Sequence, residues 1–262
     1  MSKVPAKVSE RLTKETPKFQ KVLAAAKDRD VNESDTVTII SDMLESVFGF
    51  DKYTELTREF AIQGTFCDLA VKVDGSIEYL IEVKAIGLDL KDSHLRQAVN
   101  YGAKQGIKWV VLTNGVNWEI YHISVQGNVE HEKICEFNFL DLNARKAADQ
   151  DILFMLCRRG VSKGLIEEMY EYRKSVNKFM VSSIIASDPI VSAIKRELKK
   201  IKHGLKVTDE EIKEIILSDV LKREVTESDT AKETIAIVKR SQQRAAKKKA
   251  AKKVESISNT EE

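Results

Sequence analysis

The sequence predicts an α/β fold in which a mixed sheet is flanked by helices and followed by a helical C-terminal part. Three observations support this. Residues 57–140 contain six β-type segments with one helical segment between the third and fourth, turn sequences join neighbouring segments, and periodicity is helical from residue 143 onward. A helix between strands serves as a crossover and packs on the sheet, so we expect a mixed sheet covered by helices.

Two helices are predicted before the sheet. Residues 6–29 form the first, which has a partly apolar side. The second extends from Asn32, a favourable N-cap, to Phe48, and Gly49 follows its end. Its apolar residues recur at spacings of 3, 4 and 3, which is helical periodicity; they are Val37, Ile40, Leu44 and Val47.

The central pair of strands is predicted over residues 65–73 and 77–84, on either side of the turn sequence Asp74-Gly75-Ser76. A two-residue loop would place Ile81 opposite Asp68. A three-residue loop places Glu82 there instead and sorts both strands cleanly, so we prefer that register. Its apolar layer pairs Cys67, Leu69, Val71 and Val73 with Val83, Ile81, Tyr79 and Ile77, respectively.

This register places two acids together within apolar strands. Asp68 and Glu82 then have Cβ atoms about 4.5–5.5 Å apart, and Lys84 shares the face of Glu82. Opposed like charges are destabilising, but a divalent cation with oxygen ligands would compensate them. Without a metal, we expect one of the two carboxyl groups to have a raised pKa.

The rest of the sheet follows from similar signals. An edge strand is predicted over residues 57–63, and a helix over 92–105 carries Gln97 and Tyr101 one turn apart on one face. Further strands are predicted at 107–113, 116–123 and 133–140. The first two of these are joined by Asn114-Gly115, a strong hairpin turn.

The C-terminal half is predicted to be helical, and we divide the chain into residues 1–142, 143–226 and 227–262. Apolar stripes in the second part need partners, so we expect this helical part to pack on itself or across a homodimer or higher oligomer. These stripes lie at 165–179, 190–201 and 212–220.

The third part is predicted to be a basic, flexible tail, because residues 239–253 hold eight Lys or Arg and no acid. We expect Lys248, Lys249 and Lys252 to contact nucleic-acid phosphates without reading sequence. The alternative is a solubilising tail that binds nothing.

Composition limits the possible classes of function. Residues 31–140 have a net charge of −8, whereas the segments before and after them have +4 and +6. An acidic centre disfavours phosphate binding unless a metal and the basic flanks compensate. We expect no membrane segment and a reduced, cytoplasmic protein, because no apolar run reaches spanning length and the three cysteines suggest neither a disulfide framework nor a zinc site.

Together these residues resemble a known family. The order Asp68, Glu82-Val83-Lys84, Gln97-x-x-x-Tyr101 resembles the PD-(D/E)xK nuclease superfamily. More narrowly, three segments resemble the N-terminal nuclease domain of type I restriction enzyme R subunits; they are residues 32–36, 81–85 and 112–118. The chain departs from the pattern at Cys67, where the superfamily often has Pro, and contains no GxxxxGK[ST] sequence, so we expect no ATP site.

The resemblance implies a restriction-endonuclease-like mixed sheet and a set of roles. Asp68, Glu82 and the Val83 carbonyl would hold Mg²⁺ or Mn²⁺, and Glu33 would orient the metal or its waters. Lys84 would position a water or stabilise developing charge. The remaining members of the pattern, Gln97 and Tyr101, would steady the site or touch the nucleic-acid backbone.

Simpler roles remain open for several of these residues. Glu33 is also what a helix N-terminus favours, and Tyr101 is equally compatible with packing. We expect His94 to make local hydrogen bonds and Trp118 to belong to the core. Two functions therefore stay open: a Mg²⁺-dependent endodeoxyribonuclease acting on DNA in restriction or defence, or a catalytically silent nuclease-fold module for nucleic-acid binding or assembly that needs a partner.

Overall fold

The computed structural model describes the backbone of residues 3–62 and 65–258, and their side chains except at 59–62, 65–66, 126, 246 and 248–258. The chain divides into two compact units, Met1–Glu171 and Tyr172–Glu262. Residues 143–171, which we assigned to the helical C-terminal part, lie in the first unit.

The first unit contains the sheet. Its helices and strands follow one another in the predicted order, with three strands before the crossover helix and further strands after it, and a 3-10 turn at Asp92–Leu95 leads into that helix. The elements are α1 (Ala6–Asp28), α2 (Glu33–Ser46), β1 (Leu56–Ile62), β2 (Thr65–Val73), β3 (Ser76–Val83), α3 (Arg96–Gln105), β4 (Trp109–Thr113), β5 (Asn117–Gln126), β6 (Asn128–Asn138), α4 (Ala147–Leu156), α5 (Arg158–Val161) and the start of α6 (Leu165–Ser175), whose last four residues belong to the second unit.

The six strands lie in the sheet in the order of the chain, β1 to β6. Strands β3 and β4 pair in parallel, and the other neighbours pair antiparallel. The parallel pair requires a crossover, which α3 provides. The predicted α/β fold, a mixed sheet with flanking helices and a helical C-terminal part, is confirmed.

Both faces of the sheet are covered. Ile81 belongs to the larger apolar cluster, which includes residues of α1, α2 and α4, whereas Leu80 belongs to a smaller cluster with Ala98 and Val99 of α3. Successive side chains of a strand point to opposite faces, so β3 contributes to both clusters. Burial of each Leu or Ile side chain stabilises the fold by about 1.5–3 kcal/mol.

The loop between β2 and β3 is shorter than we predicted. Val73 pairs with Ser76, so the turn consists of Asp74 and Gly75 alone, and the predicted pairing of Val73 with Ile77 is wrong. Both turn residues have positive φ, 50° and 86°, as in the two-residue turns whose twist matches that of a hairpin.

A β-bulge then restores the predicted register. The pairing shifts by one residue between Val71 and Lys72, and beyond that point Val71 pairs with Tyr79 and Leu69 with Ile81, as predicted. The bulge changes the expected layer, because Ile77 packs with the smaller cluster rather than with Val73. Cys67 also lies in the smaller cluster, a second departure from that layer.

The second unit is helical. A small core of Val191, Ile212 and Ile216 lies between residues 188–201 and 209–220, and Thr208 and Glu211 form the expected capping box. Pro189 lies in the first turn of its helix, as expected. The elements are α7 (Lys178–Ile185), α8 (Asp188–Ile201), α9 (Asp209–Ile215), a π-helical turn (Ile216–Val220), α10 (Glu224–Glu227) and α11 (Asp229–Ser258).

The predicted apolar stripes are only partly covered. Ile212 and Ile216 are buried, but Val176, Ile201 and Val220 are exposed. The helices therefore pack on one another in part, and association through the exposed residues stays a prediction. No helix in the described part of the chain is long and apolar enough to cross a membrane.

The basic tail begins inside a helix. Helix α11 covers Asp229–Ser258, and Ala231, Thr234 and Val238 of its first turns are buried. The first ten residues of this helix are therefore packed in the second unit. The side chains of Lys248, Lys249 and Lys252 lie outside the described residues.

Candidate active site

The candidate site lies where β2 and β3 separate. Their ladder ends at the pair Leu69–Ile81. Beyond it, β2 continues to pair with β1, while Glu82 and Val83 of β3 pair with Leu112 and Thr113 of β4. The separation leaves backbone groups of β3 without a ladder partner on the β2 side.

Side chains of β2 replace the missing ladder bonds. The Cys67 thiol donates to the Ile81 carbonyl at 3.2 Å, and Asp68 Oδ2 accepts from the Val83 N–H at 2.7 Å. Buried backbone groups need such partners, because leaving one unpaired costs about as much as a lost hydrogen bond. The Asp68 carboxylate is thereby fixed at the backbone of Val83, the residue after Glu82, although the ladder stops before the predicted pair of Asp68 with Glu82. Burial raises the pKa of the Cys67 thiol to about 12.

The Glu82 carboxyl group is almost completely buried, with 7% of the residue exposed. Its Oε1 pairs with Lys84 Nζ at 2.8 Å, and its Oε2 has no hydrogen-bond partner among the described residues. Burial, opposed by the Lys84 bond and reinforced by the charge of Asp68, raises its pKa to about 7. The raised pKa confirms the prediction, but burial contributes more than the neighbouring carboxylate that we had invoked.

Lys84 connects the sheet to the start of α2. Its ammonium lies 2.8 Å from Glu82 Oε1 and 3.4 Å from Glu33 Oε2. Burial lowers the pKa of Lys84, but the hydrogen bond to Glu82 and the charges of the surrounding acids outweigh burial, so the pKa is raised. The lysine is therefore cationic at neutral pH.

Glu33 reaches the site because of local helix chemistry. Asn32 caps α2 by accepting a hydrogen bond from Asp35 N, which makes Glu33 the first helical residue. An acid there is favoured by the helix dipole, so the simpler explanation for Glu33 holds. The structure adds a second contact, the 3.4 Å approach to Lys84.

A cavity of about 330 Å³ opens beside these residues. It lies between α2 and the first two strands and is lined by Glu33, Ser34, Val37, Arg58 and Asp68. Arg58 is the residue of this set that the sequence analysis missed. Its one local signal was a basic residue in an edge strand, next to the strands that carry Asp68 and Glu82. Basic residues are common in edge strands at protein surfaces, so this signal is not specific.

The two predicted residues of helix α3 differ in exposure. Gln97 is exposed, whereas Tyr101 is 6% exposed and packs in the same cluster as Cys67. The packing role of Tyr101 is thus observed, and the site roles of both residues stay predictions. His94 accepts from Lys91 N, and Trp118 is buried in the core, as expected for both.

The donor set suits a hard divalent cation. Among the described residues, no group of three or more His, Cys, Asp and Glu is arranged to hold a metal. Mg²⁺ commonly binds through one or two carboxylates with waters and substrate phosphate, and Asp68 and Glu82 provide that number. The unpartnered Oε2 of Glu82 is an oxygen that a cation could satisfy.

The comparisons with known proteins support the resemblance over the sheet. A family model described as the N terminus of the type I restriction enzyme R protein (HSDR_N) matches residues 49–137, about a third of the chain. The match contains Asp68, Glu82 and Lys84, but not Glu33. No curated protein and no solved structure matches the chain.

Proposed function

We propose that this protein is a Mg²⁺-dependent endonuclease that hydrolyses phosphodiester bonds in DNA, acting in the cytoplasm in restriction or defence. The observation that carries the proposal is the hydrogen bond from Val83 N to Asp68 Oδ2. It brings Asp68 to Glu82 and Lys84 where β2 and β3 separate, within the segment that matches the restriction enzyme family.

In this proposal Asp68, Glu82 and the Val83 carbonyl would hold Mg²⁺ or Mn²⁺, and Glu33 would orient its waters. The bound ion would polarise the scissile phosphate and lower the pKa of a bound water. Glu82 must lose its proton to serve as a ligand. Because its pKa is about 7, metal binding should weaken below neutral pH.

Lys84 is the chain's own source of positive charge at the site. Its ammonium has three N–H donors, and the two acids that it contacts take no more than two at once. A donor can therefore reach a water or a phosphate oxygen. A fixed cation in a partly dry site stabilises the charge that develops on the phosphate during hydrolysis.

The second candidate, a silent nuclease-fold module, is favoured by a different observation. Lys84 is already paired with Glu82 and Glu33, so its charge is balanced without substrate. The acidic centre of the chain also opposes phosphate binding. In that case binding or assembly would depend on a partner.

A plasmid nicking assay in Mg²⁺ or Mn²⁺ decides between the two candidates. We expect Lys84→Ala to lower the nicking rate roughly 10²–10³-fold, which is typical for loss of one charge-stabilising donor. Lys104→Ala, which removes an exposed lysine at the end of α3, should retain the wild-type rate. Equal nicking by the wild type and Lys84→Ala, or by neither, would favour the silent module.

We also propose that the basic end of α11, with Lys248, Lys249 and Lys252, adds affinity for DNA without sequence preference. Truncation after Val238 removes this segment and retains the buried first turns of the helix. We expect several-fold weaker binding at low salt, a shallower salt dependence and unchanged cleavage specificity. Identical salt slopes for both chains would show that the segment touches no phosphate.

A further inference from the structure

The cavity beside the site contains a cation that the proposed mechanism does not use. Of the five residues that line it, Glu33 and Asp68 are acidic and Arg58 is the one basic residue. Its volume of about 330 Å³ is roughly ten times the share of one water molecule in the liquid. The space is therefore large enough for a phosphate group and its hydration.

Arg58 is held in place by a hydroxyl group rather than by an acid. Its Nε and Nη2 donate to Ser41 Oγ at 3.3 and 3.1 Å, and the Ser41 hydroxyl donates to the Val37 carbonyl at 2.8 Å. Ser41 is buried, so it is a fixed support. A hydroxyl has one donor and two lone pairs, and these three bonds use all of them.

This support leaves both charge and donors on the guanidinium group. Of its five N–H donors, the bonds to Ser41 use two. Among the residues with described side chains, Arg58 has no carboxylate within the 4.0 Å of an ion pair. A planar guanidinium fixed on one edge can bind a phosphate through its other N–H groups.

We propose that Arg58, supported by Ser41, binds a non-scissile phosphate of the DNA strand that enters this cavity. The inference rests on the proposed function and extends it. Asp68 lines the same cavity, so the strand held by Arg58 is the one brought to the acids. The contact offsets the repulsion between the phosphodiester backbone and the acidic side chains and acts as a positioning contact.

Binding of a fluorescein-labelled duplex tests this inference without cleavage. Anisotropy is measured over a range of salt concentrations in Ca²⁺, which takes oxygen ligands as Mg²⁺ does. We expect Arg58→Gln to raise Kd about ten-fold at low salt and to lower the salt slope by about 0.9, the value for one phosphate contact. The matched control is Arg145→Gln, which removes an exposed arginine from a loop. It should change both Kd and the salt slope less than Arg58→Gln does.

Two further variants separate charge from geometry. Arg58→Lys keeps the charge but loses the planar fork, so the slope should stay and Kd should rise several-fold. Ser41→Ala removes the support alone, and we expect Kd to rise about three-fold with an unchanged slope. Circular dichroism of each variant checks that the fold is retained.

The outcomes distinguish this inference from the proposed function. If the wild type binds DNA and Arg58→Gln has the affinity and salt slope of Arg145→Gln, the Arg58 contact is refuted and the nuclease proposal stands. If the wild type neither binds nor nicks DNA, the proposed function fails and this inference fails with it. Where nicking is measurable, Arg58→Gln should raise KM more than it lowers kcat, since the contact is made before and during reaction.

Discussion

The two ends of the β2–β3 pair are built on different principles. At one end, Asp74 and Gly75 close the hairpin with a two-residue turn, and the ladder starts at Val73 and Ser76. At the other end the ladder stops, and the side chain of Asp68 bonds the Val83 N–H instead. The turn end depends on the dihedral preferences of adjacent residues, whereas the site end depends on the pairing of β3 with β4.

The two ends also differ in what they bury. The turn is exposed and contains no buried charge. The site end buries the Glu82 carboxyl group, whose pKa is raised to about 7 chiefly by that burial. A group held in an unfavourable environment is a feature of functional sites, where stability is lost in exchange for reactivity.

The largest effect should come from Asp68, which serves both the backbone and the proposed metal. Asp68→Asn keeps an acceptor for Val83 N but removes a ligand charge, so we expect nicking to fall roughly 10³-fold with little change in stability. Asp68→Ala should lose the same activity and also about 1–3 kcal/mol of the free energy of unfolding, because the Val83 N–H loses its partner.

Nicking rates and urea denaturation of both variants check this prediction. The control is Asp74→Asn at the turn end, where Asn also tolerates a positive φ and only the 3.4 Å pair with Arg158 is weakened. It should change neither the rate nor the stability appreciably. If Asp68→Asn nicked DNA at the rate of Asp74→Asn, the charge at the site end would matter no more than the charge at the turn.

A smaller effect concerns pH and the burial of Glu82. Its pKa is higher in the folded chain than the ordinary value of 4.5, so folding takes up a proton between those pH values. Without metal, the free energy of unfolding should therefore decrease as pH rises from about 4.5 to 7, by up to about 3 kcal/mol, and stay lower above pH 7.

Glu82→Gln mimics the protonated group and should remove this decrease. We expect the variant to match the wild type at pH 4.5 and to be more stable at pH 8. Urea denaturation in EDTA at both pH values measures the difference. If the free energy of unfolding changes equally in the wild type and the variant between the two pH values, the Glu82 carboxylate is not destabilised by burial and the prediction is wrong.

The smallest effect should be at the turn. Gly75 has φ of 86°, and a methyl group added to its Cα would meet no heavy atom within 4 Å beyond its two chain neighbours, so Gly75→Ala introduces backbone strain without a clash against other parts of the chain. We expect a loss of about 1–2 kcal/mol in the free energy of unfolding. The nicking rate should be unchanged, since the bulge and the parallel pairing with β4 hold the site end. A parallel loss of nicking would show that the turn controls the site.

The sequence by itself determined the elements and much of their pairing. Apolar periodicity, the cap at Asn32 and the capping box of Thr208 and Glu211 are local signals, and the structure has helices where they predict. Alternation in β2 and β3 predicted the pairing of Leu69 with Ile81, because a slip by one residue would reverse every side chain. The acids of the site followed from that register.

Only the tertiary structure decided how the β2–β3 register is reached and where the ladder between these strands ends. Asp74-Gly75-Ser76 suits a two- or a three-residue loop, and the bulge near Lys72 that reconciles the shorter loop with the predicted register has no local signal. The separation at Asp68 arises because β3 pairs with β4 across the α3 crossover, a contact between residues far apart in the chain.

The same reason explains what the sequence analysis missed at the site. The burial of Glu82 and the contact between Arg58 and Ser41 depend on how α2 packs beside the first strands. Arg58 and Ser41 are 17 residues apart and lie in different elements, so no periodicity relates them. Local preferences determine which residues form helices and strands, and only packing determines which polar groups lose water and meet one another.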